Sequence, residues 1–194
     1  MPFWTDHTGQ DPKRQFRFIV IIGNMPDGAT WYAKKATKPS FSVTEAKHSF
    51  LNHNFYYPGR VEWNEVDVTL VDPVSPDAVA NTLAIVQNSG YKPPSNFTET
   101  TTISKANAVT ALGGVVIEMI QSDGSTVERW TLNGAFIKDV SYTDLDYGSD
   151  DISEISLKFR YDWAECTTAF DASDASKVGP DGVRNDFFAL NPTI

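Results

Sequence analysis

The acidic run from Asp144 to Asp151 is the densest group of oxygen ligands in the sequence. A calcium loop of the EF-hand type needs oxygen ligands at positions 1, 3 and 5 and a glycine at position 6. Counted from Asp144, Gly148 stands at position 5 and Ser149 at position 6, and the run flanks a predicted strand instead of helices. A motif outside its structural context is weak evidence. We therefore interpret this run as a solvated turn.

The other chemically active residue types form no recognisable set. His48 and His53 are five residues apart, which places them on no common face of one helix or strand, and no Cys or His pair completes a zinc site. Cys166 has no histidine near it in sequence, and no nucleophile elbow, P-loop or dinucleotide fingerprint is present. Carboxylates are abundant, but nothing marks out one glycosidase-like pair. We predict no metal, no cofactor and no enzymatic activity.

Charge and composition narrow the class of protein and the kinds of partner it could have. The chain has a net charge of −9 and 194 residues, a length that suits one domain with a short appendage. Its single cysteine excludes an intrachain disulfide. It has no long apolar run and no signal-peptide pattern, so we expect no membrane partner. An acidic chain repels nucleic acid unless a basic patch overrides that repulsion. In such a chain, the modest basic groups at residues 13–17 and 34–38 more often pair with acidic surfaces of other subunits than bind phosphate.

Hydrophobic alternation predicts a mainly β fold. Ile155, Leu157, Phe159, Tyr161 and Trp163 fall on one face, which indicates one long half-buried strand paired with a strand ahead of it at residues 130–140. Residues 16–22 read as a strand buried on both faces, residues 61–71 as one strand, and residues 115–120 and 127–132 as a hairpin. We expect the other strands to be arranged around the 130–163 pair.

Two helices are predicted on the flank of these strands. Ser75, followed by Pro76 and Asp77, is a typical helix start, with the serine as the cap. Val79, Leu83 and Val86 would then form one apolar stripe, and Gly90 would end the helix. A second short helix is predicted to begin after Ser104 and to end near Gly113.

Two segments do not fit the strand pattern. Residues 45–58 are polar and aromatic, which predicts a long projecting loop or hairpin, and long loops in compact domains usually carry function. Its candidate contact residues are His48, Phe50, His53, Phe55, Tyr56 and Tyr57. From residue 166 onward the composition is small and polar, with an apolar tip at Phe187, Phe188 and Leu190. We expect domain boundaries of 1–165 and 166–194, with this C-terminal arm docked on a neighbouring subunit; the alternative is an arm folded back on its own domain.

Several short stretches, taken in order, resemble the tail tube proteins of contractile-tailed bacteriophages. They are WTLNGAF (130–136), LDYGSD (145–150), EISL (154–157) and YDWA (161–164), preceded by YPGRVEW (57–63), the helix region 72–90 and ISKANAV (103–109). The resemblance runs from about Phe3 to Ala164, and the residues after Cys166 have no counterpart. The type VI secretion tube protein is similar.

This resemblance implies two packed sheets that close into a small barrel or sandwich with one flanking α-helix. It also implies hexameric rings stacked into a hollow tube inside a contractile sheath, with tape measure protein and DNA in the lumen but not tightly bound, in the virion. A DNA conduit must not bind DNA, so we expect an acidic lumen. The candidate lumen residues are Glu65, Asp67, Glu154 and Asp162, and residues 45–58 would make inter-ring contacts.

A second class of function is compatible with the same residues. A monomeric β-sandwich that binds carbohydrate would use exposed aromatic side chains to stack on its ligand, and Trp31, Tyr56 and Trp63 are the candidates. The oligomeric state distinguishes the two classes, because a binding module would be a monomer near 21.5 kDa.

Overall fold

A computed structural model describes residues 12–25, 32–93 and 101–168, together with the backbone of residues 186–187. Within these ranges the chain forms eleven strands and two helices. In chain order they are β1 (Phe18–Ile22), β2 (Ala33–Ala36), β3 (Phe41–Phe50), β4 (His53–Trp63), β5 (Val66–Val71), α1 (Ala78–Asn88), α2 (Lys105–Leu112), β6 (Val115–Ile120), β7 (Thr126–Asn133), β8 (Phe136–Tyr142), β9 (Glu154–Arg160), β10 (Trp163–Thr168) and β11 (Asp186–Phe187).

Most strands belong to two antiparallel sheets that share one core. The first sheet has the order β1-β6-β7-β10-β11 and the second the order β2-β5-β9-β8. Alternate side chains from both sheets meet in the middle and are almost fully buried: Val20, Ile22, Val66, Val68, Leu70, Ile117, Leu132, Ile155, Leu157 and Phe159. The predicted mainly β fold of two packed sheets is confirmed. In the described residues the sheets remain an open sandwich and do not close into a barrel, and two helices flank them.

The alternating segment at residues 155–163, predicted as one strand, departs from that prediction at its C-terminal end. Ile155, Leu157 and Phe159 lie in the core as expected, and β9 pairs with β8 as expected. The chain then turns at Tyr161 and Asp162, so that Trp163 begins β10 in the first sheet. One predicted strand is therefore two strands, each in a different sheet. Periodicity alone cannot detect this crossing, because the inward alternation continues through the bend.

The β7–β8 connection crosses between the sheets at the same place. The Asp162 N–H donates to the Asn133 carbonyl (2.9 Å), which ties the two crossings together. Gly134 lies between them with φ of +67°, and a Cβ atom there would lie 2.3 Å from Asp162 Oδ2. The backbone conformation and the close approach of the Asp162 side chain both favour glycine at this bend.

Two further strand predictions need correction. The strand at residues 16–22 is not buried on both faces: Val20 and Ile22 are in the core, but Ile21 and Phe16 are exposed. The reason is that, in the described chain, β1 is an edge strand that pairs with β6 and has one face packed in the core. The predicted strand at 61–71 is broken after Trp63, and the Asn64 N–H donates to the Ser40 carbonyl (2.8 Å) before β5 begins in another sheet.

Helix α1 exists, but its cap and its buried face differ from the prediction. Asp77, not Ser75, is the N-cap, and its carboxylate accepts the Ala80 N–H at 2.9 Å. The buried residues are Thr82 and Ile85, whereas Leu83 is 55% exposed. Apolar residues occupy several faces of this helix, so the position of the sandwich decides which face is buried. Helix α2 follows the prediction, with Ser104 as its cap and Gly113 at its end.

We predict that the two faces of α1 differ sharply in their contribution to stability. Ile85→Ala should lower the free energy of unfolding by about 2–5 kcal/mol, because it leaves a cavity in the core. The matched control, Leu83→Ala, should cost about 1 kcal/mol or less, since this side chain is more than half exposed. Urea unfolding of the monomer measures both. Equal losses would contradict the orientation of α1 in the structure.

Candidate assembly interface

Strands β3 and β4 form a two-stranded sheet of their own. All residues from 41 to 62 are exposed, so this hairpin is outside the sandwich core. The segment predicted as a projecting loop or hairpin is thus a hairpin, and it extends beyond the predicted bounds at both ends, from Phe41 to Trp63. An isolated two-stranded ribbon is at best marginally stable in water. The stability of this hairpin therefore depends on its attachment to the sandwich at the base and on any partner that binds its tip.

Five of the six predicted contact residues lie on one face of the hairpin. Cross-strand pairs join Ala46 to Tyr57, His48 to Phe55, and Phe50 to His53. Tyr56 lies on the other face, opposite Lys47. The rings of His53 and Phe55 meet edge-on with centroids 4.8 Å apart. We call His48, Phe50, His53, Phe55 and Tyr57 the aromatic face.

The hairpin geometry also corrects the expectation that His48 and His53 lie on no common face. His48 and His53 share no face of a single strand, but they lie on facing strands that pair across the turn, and so they share one face of the hairpin. Within the described residues, no group of three or more His, Cys, Asp or Glu side chains is arranged to hold a metal ion. The histidines therefore belong to an aromatic surface.

The base of the hairpin is held against the sandwich. Phe41 and Trp63 face each other with ring centroids 5.2 Å apart, and Trp63 lies 5.9 Å from the buried ring of Tyr161. The Asn64 amide also donates to Ser40 Oγ (3.0 Å). Trp63 is therefore a packing residue of the hairpin base, a role that its position within the predicted strand at 61–71 did not reveal.

A β-bulge separates this base from the aromatic face. The register shifts between Val43 and Glu45, and Thr44 Oγ1 accepts the Arg60 N–H at 2.8 Å. A Cβ atom on Gly59 would lie 2.4 Å from Thr44 Oγ1, so the bulge needs glycine here. Bulges bend a strand and increase its twist, and this one sets the direction of the hairpin tip.

A buried carboxylate fixes the segment that leads into the hairpin. Glu128 on β7 accepts hydrogen bonds from Lys13 Nζ (2.5 Å), from Trp130 Nε1 (2.5 Å) and from Lys38 Nζ, which lies three residues before β3. Burial raises the pKa of Glu128, but the three donors outweigh burial and lower the pKa to about 2. In the sequence, Glu128 alternates with Trp130 and Leu132 and so falls on the inward face of the strand. The sequence analysis did not use this alternation to predict a buried carboxylate.

Cys166 lies beside this cluster and is buried. Burial raises the pKa of its thiol, and the negative charge of Glu128 raises it further. A thiol in this environment stays protonated, and the thiolate is the reactive form. Cys166 is therefore a packing residue of β10.

The candidate lumen residues occupy two places. Asp67 and Glu154 lie on the outer face of the second sheet with Glu65 just before β5, whereas Asp162 is at the sheet crossing. Three of the four are ion-paired within the chain: Glu65 with Lys138, Glu154 with Lys34, and Asp162 with Lys105 (2.5 Å). Asp67 is opposite Lys158 in the sheet register. The outer face of the second sheet thus carries carboxylates and amines side by side.

The C-terminal arm contacts its own chain where the structure describes it. Residues 186–187 pair with Thr167 and Cys166 and add a fifth strand to the first sheet. At this point the expectation of docking only on a neighbour is wrong, and the alternative, an arm folded back on its domain, is what the backbone shows. The reason is that β10 would otherwise present an unpaired sheet edge. Phe188 and Leu190 lie outside the described residues, as does the side chain of Phe187.

No protein-family model matches the sequence, and no curated protein matches it. The fold, however, is known from solved structures. A chain in the extended sheath/tube terminator of the PVC extracellular contractile injection system aligns over 82% of this chain and 99% of its own, with a TM-score of 0.59 and 14% identity. A chain in the six-fold symmetrised anti-feeding prophage baseplate gives a TM-score of 0.58, with 16% identity over 82% of this chain and 97% of its own.

A third chain, in the extended PVC sheath-tube complex, gives a TM-score of 0.56 with 15% identity over 84% of this chain and 95% of its own. The fold is that of chains from contractile injection systems. The resemblance to tail tube proteins is therefore confirmed at the level of the fold. Neither described helix has the length and apolarity needed to cross a membrane.

We predict that Glu128→Gln destabilises the protein in a pH-dependent way. A depressed pKa contributes stability above the ordinary pKa of 4.5, and this contribution is lost as the pH falls toward about 2. The variant should lose roughly 1–3 kcal/mol at pH 7, and the difference from wild type should shrink below pH 4.5. Chemical denaturation at several pH values measures this.

The control is Glu62→Gln, in the exposed hairpin, which should change stability by about 0.5 kcal/mol or less at every pH. A loss for Glu128→Gln that stays constant down to pH 2 would show that packing, not charge, is the cause.

Proposed function

We propose that this chain is a structural, non-enzymatic subunit of a tail tube, which polymerises into stacked hexameric rings. The observation that carries the proposal is the hairpin, whose aromatic face is presented to solvent while its base is fixed to the sandwich. The fold shared with chains of contractile injection systems supports it. The particle would be a phage tail or a related injection device, with a sheath around the tube.

The energetics of the hairpin favour burial by another copy. Full burial of a large apolar side chain contributes roughly 1.5–3 kcal/mol, and Phe50, Phe55 and Tyr57 are 62%, 46% and 57% exposed. Aromatic residues of this kind dominate the binding energy of protein interfaces. We propose that the aromatic face makes the contact between successive rings, because a contact that repeats along one axis gives a filament.

Ring closure needs a second, lateral contact. Strands β2 and β8 are the two edges of the second sheet and leave unpaired backbone groups in the described chain. A head-to-tail contact between such different surfaces gives a ring when its rotation closes. The six-fold symmetrised baseplate that contains a chain of similar fold supports six copies.

We also propose that the tube conducts DNA, with tape measure protein in the lumen before ejection. The net charge of −9 supports a conduit that does not bind DNA. If the outer face of the second sheet lines the channel, its paired amines and carboxylates make the wall nearly balanced rather than strongly acidic. Such a wall gives DNA phosphates no cluster of unpaired cations to bind.

The carbohydrate-binding alternative receives no support from the geometry of its candidate residues. Trp63 is packed between Phe41 and Tyr161, and Tyr56 lies on the exposed hairpin. Trp31 lies outside the described residues. Trp63 and Tyr56 therefore do not form one stacking platform.

We predict that the aromatic face is required for tube growth and not for folding. The variant Phe50→Ser/Phe55→Ser/Tyr57→Ser should keep the monomer's thermal midpoint within a few degrees and should abolish tubes in negative-stain images. Tyr56→Ser, on the opposite face of the same hairpin, is the control and should leave tube length unchanged. Deletion of residues 47–55 should act like the triple variant. Tubes of normal length from either variant would refute the inter-ring role.

We predict that loss of carboxylates on the outer face of the second sheet makes tubes retain DNA. Glu65→Lys/Glu154→Lys would also release Lys138 and Lys34 from their ion pairs, so each substitution leaves two adjacent cations. Retention should be seen at low salt and should fall as salt rises, which gel shift and DNA co-sedimentation with tubes measure. Glu65→Gln/Glu154→Gln is the matched control, with weaker retention. Tubes of the lysine variant that retain no DNA at low salt would place this face away from the lumen.

A further inference from the structure

Among the residues that the structure describes, one side of the sandwich is open between the edge strands of the two sheets. Strand β1 ends the first sheet and β2 ends the second, and they adjoin each other on the same side. A cleft of about 400 Å³ lies there. We call it the lysine cleft, and the lining residues that characterise it are Phe18, Lys34, Lys35, Lys38, Ile117 and Met119.

The lysine cleft combines an apolar floor with three amines at its rim. Phe18 comes from the edge strand β1, Ile117 and Met119 come from its neighbour β6, and the three side chains form the floor. Lys34 and Lys38 are already paired, with Glu154 and Glu128. Lys35 is exposed and forms no ion pair with any residue that the structure describes. The cleft therefore suits a segment that is both acidic and apolar.

Such a segment exists on the same chain, in the connection from β8 to β9. We call residues 143–153 the acidic loop. It contains four aspartates and no basic residue, and its apolar side chains are unusually exposed: Leu145 at 93%, Tyr147 fully, and Ile152 at 66%. Isolated exposed apolar residues are common, but three within eight residues of one loop suggest a contact surface.

The acidic loop has a defined shape without help from the core. Asp146 Oδ1 accepts the Gly148 N–H (2.9 Å), and Ser149 Oγ donates to Asp151 Oδ2 (3.0 Å). Thr143 Oγ1 donates to the Glu154 carbonyl (3.0 Å), which closes the loop at its base. A loop that is already ordered loses less conformational entropy when it binds.

We infer that the acidic loop of one copy docks into the lysine cleft of the next copy. The inference rests on the proposed function, since it specifies the lateral contact of the ring. The loop carboxylates complement Lys35, the rim amine with no ion pair in the described chain, and the three apolar side chains complement the floor. The loop does not fill the cleft of its own chain, because Leu145 and Tyr147 are almost fully exposed.

The topology of the second sheet is compatible with this contact. Strand β2 is one edge of the sheet, and β8, which leads into the acidic loop, is the other. The register pairs Ala33 with Leu70, and Val71 with Glu154, so the start of β2 and the base of the acidic loop lie at the same end of the sheet. When copies join side by side in one orientation, the loop of one copy reaches the β2 edge of its neighbour.

A charge-swap experiment tests the inference. Lys35→Glu reverses the charge at the one rim amine without an ion pair in the described chain, and Asp144→Lys/Asp150→Lys reverses the charge at two of the four loop aspartates, which form no hydrogen bond with described residues. Each variant alone should raise the protein concentration needed for half-maximal assembly roughly tenfold or more, because each substituted position then faces a like charge. Sedimentation velocity and negative-stain imaging give the readout, with the monomer's thermal midpoint as a check on folding.

The decisive measurement is whether assembly is restored when the loop and cleft variants are combined. An equimolar mixture of the two variants should assemble close to wild type, because each reversed loop can then dock in a reversed cleft and each original loop in an original one. The chain with all three substitutions should also assemble close to wild type. Lys47→Glu, a reversal at an exposed lysine on the hairpin face opposite the aromatic face, is the matched control and should leave assembly unchanged.

The possible outcomes separate the two proposals. A wild type that stays monomeric at every concentration overturns both the proposed function and this inference. If the wild type assembles and Lys35→Glu assembles equally well, the proposed function stands and this inference is wrong. The inference is also wrong if both variants fail and neither the mixture nor the triple substitution restores assembly.

Discussion

The point on which the structure depends is the bend where two neighbouring chain segments pass together from one sheet to the other. Strands β7 and β10 pair in the first sheet, and their continuations β8 and β9 pair in the second. At the bend, Asp162 N–H donates to the Asn133 carbonyl and Gly134 adopts a positive φ with no space for a side chain. This bent ribbon connects both sheets, so the core, the open side at β1 and β2, and the acidic loop are all placed relative to it.

A second constraint is the buried Glu128 cluster, which holds the chain at the base of the hairpin while the hairpin itself is exposed to solvent. Glu128 is a buried carboxylate held by two lysines and an indole, and one of those lysines lies just before the hairpin. Breaking a buried ion pair costs more than forming it gains, because the remaining charge stays desolvated. The cluster therefore fixes the chain at the hairpin base, while apolar side chains are exposed at the hairpin and the acidic loop. Rigid bases with exposed apolar tips suit a subunit that binds copies of itself.

The two proposed contacts differ in chemistry, and this difference suits a tube. The aromatic face consists of aromatic rings and contains no Lys, Arg, Asp or Glu, so the contribution from burying it should depend weakly on ionic strength. The acidic loop and the lysine cleft are charged, so their contact should be steered by electrostatics and weakened by salt. A charged lateral contact sets the register of copies within a ring, and an apolar contact between rings then adds strength along the tube.

The sequence by itself determined the mainly β class, the second helix with its Ser104 cap, the hairpin of β6 and β7, and the aromatic segment at residues 45–58. These features depend on local alternation, capping and turn chemistry, which neighbouring residues dictate. The tertiary structure decided the rest. Periodicity continued through the bend at Tyr161, so it could not show that one alternating segment serves two sheets. Leu83 and Ile85 are equally apolar, and only the position of the sandwich selected Ile85 for burial. His48 and His53 share a face only because two strands pair across a turn. The order of strands places β2, which carries Lys35, and β8, which leads into the acidic loop, at opposite edges of one sheet. No short stretch of sequence encodes this order, because it depends on pairing between distant segments.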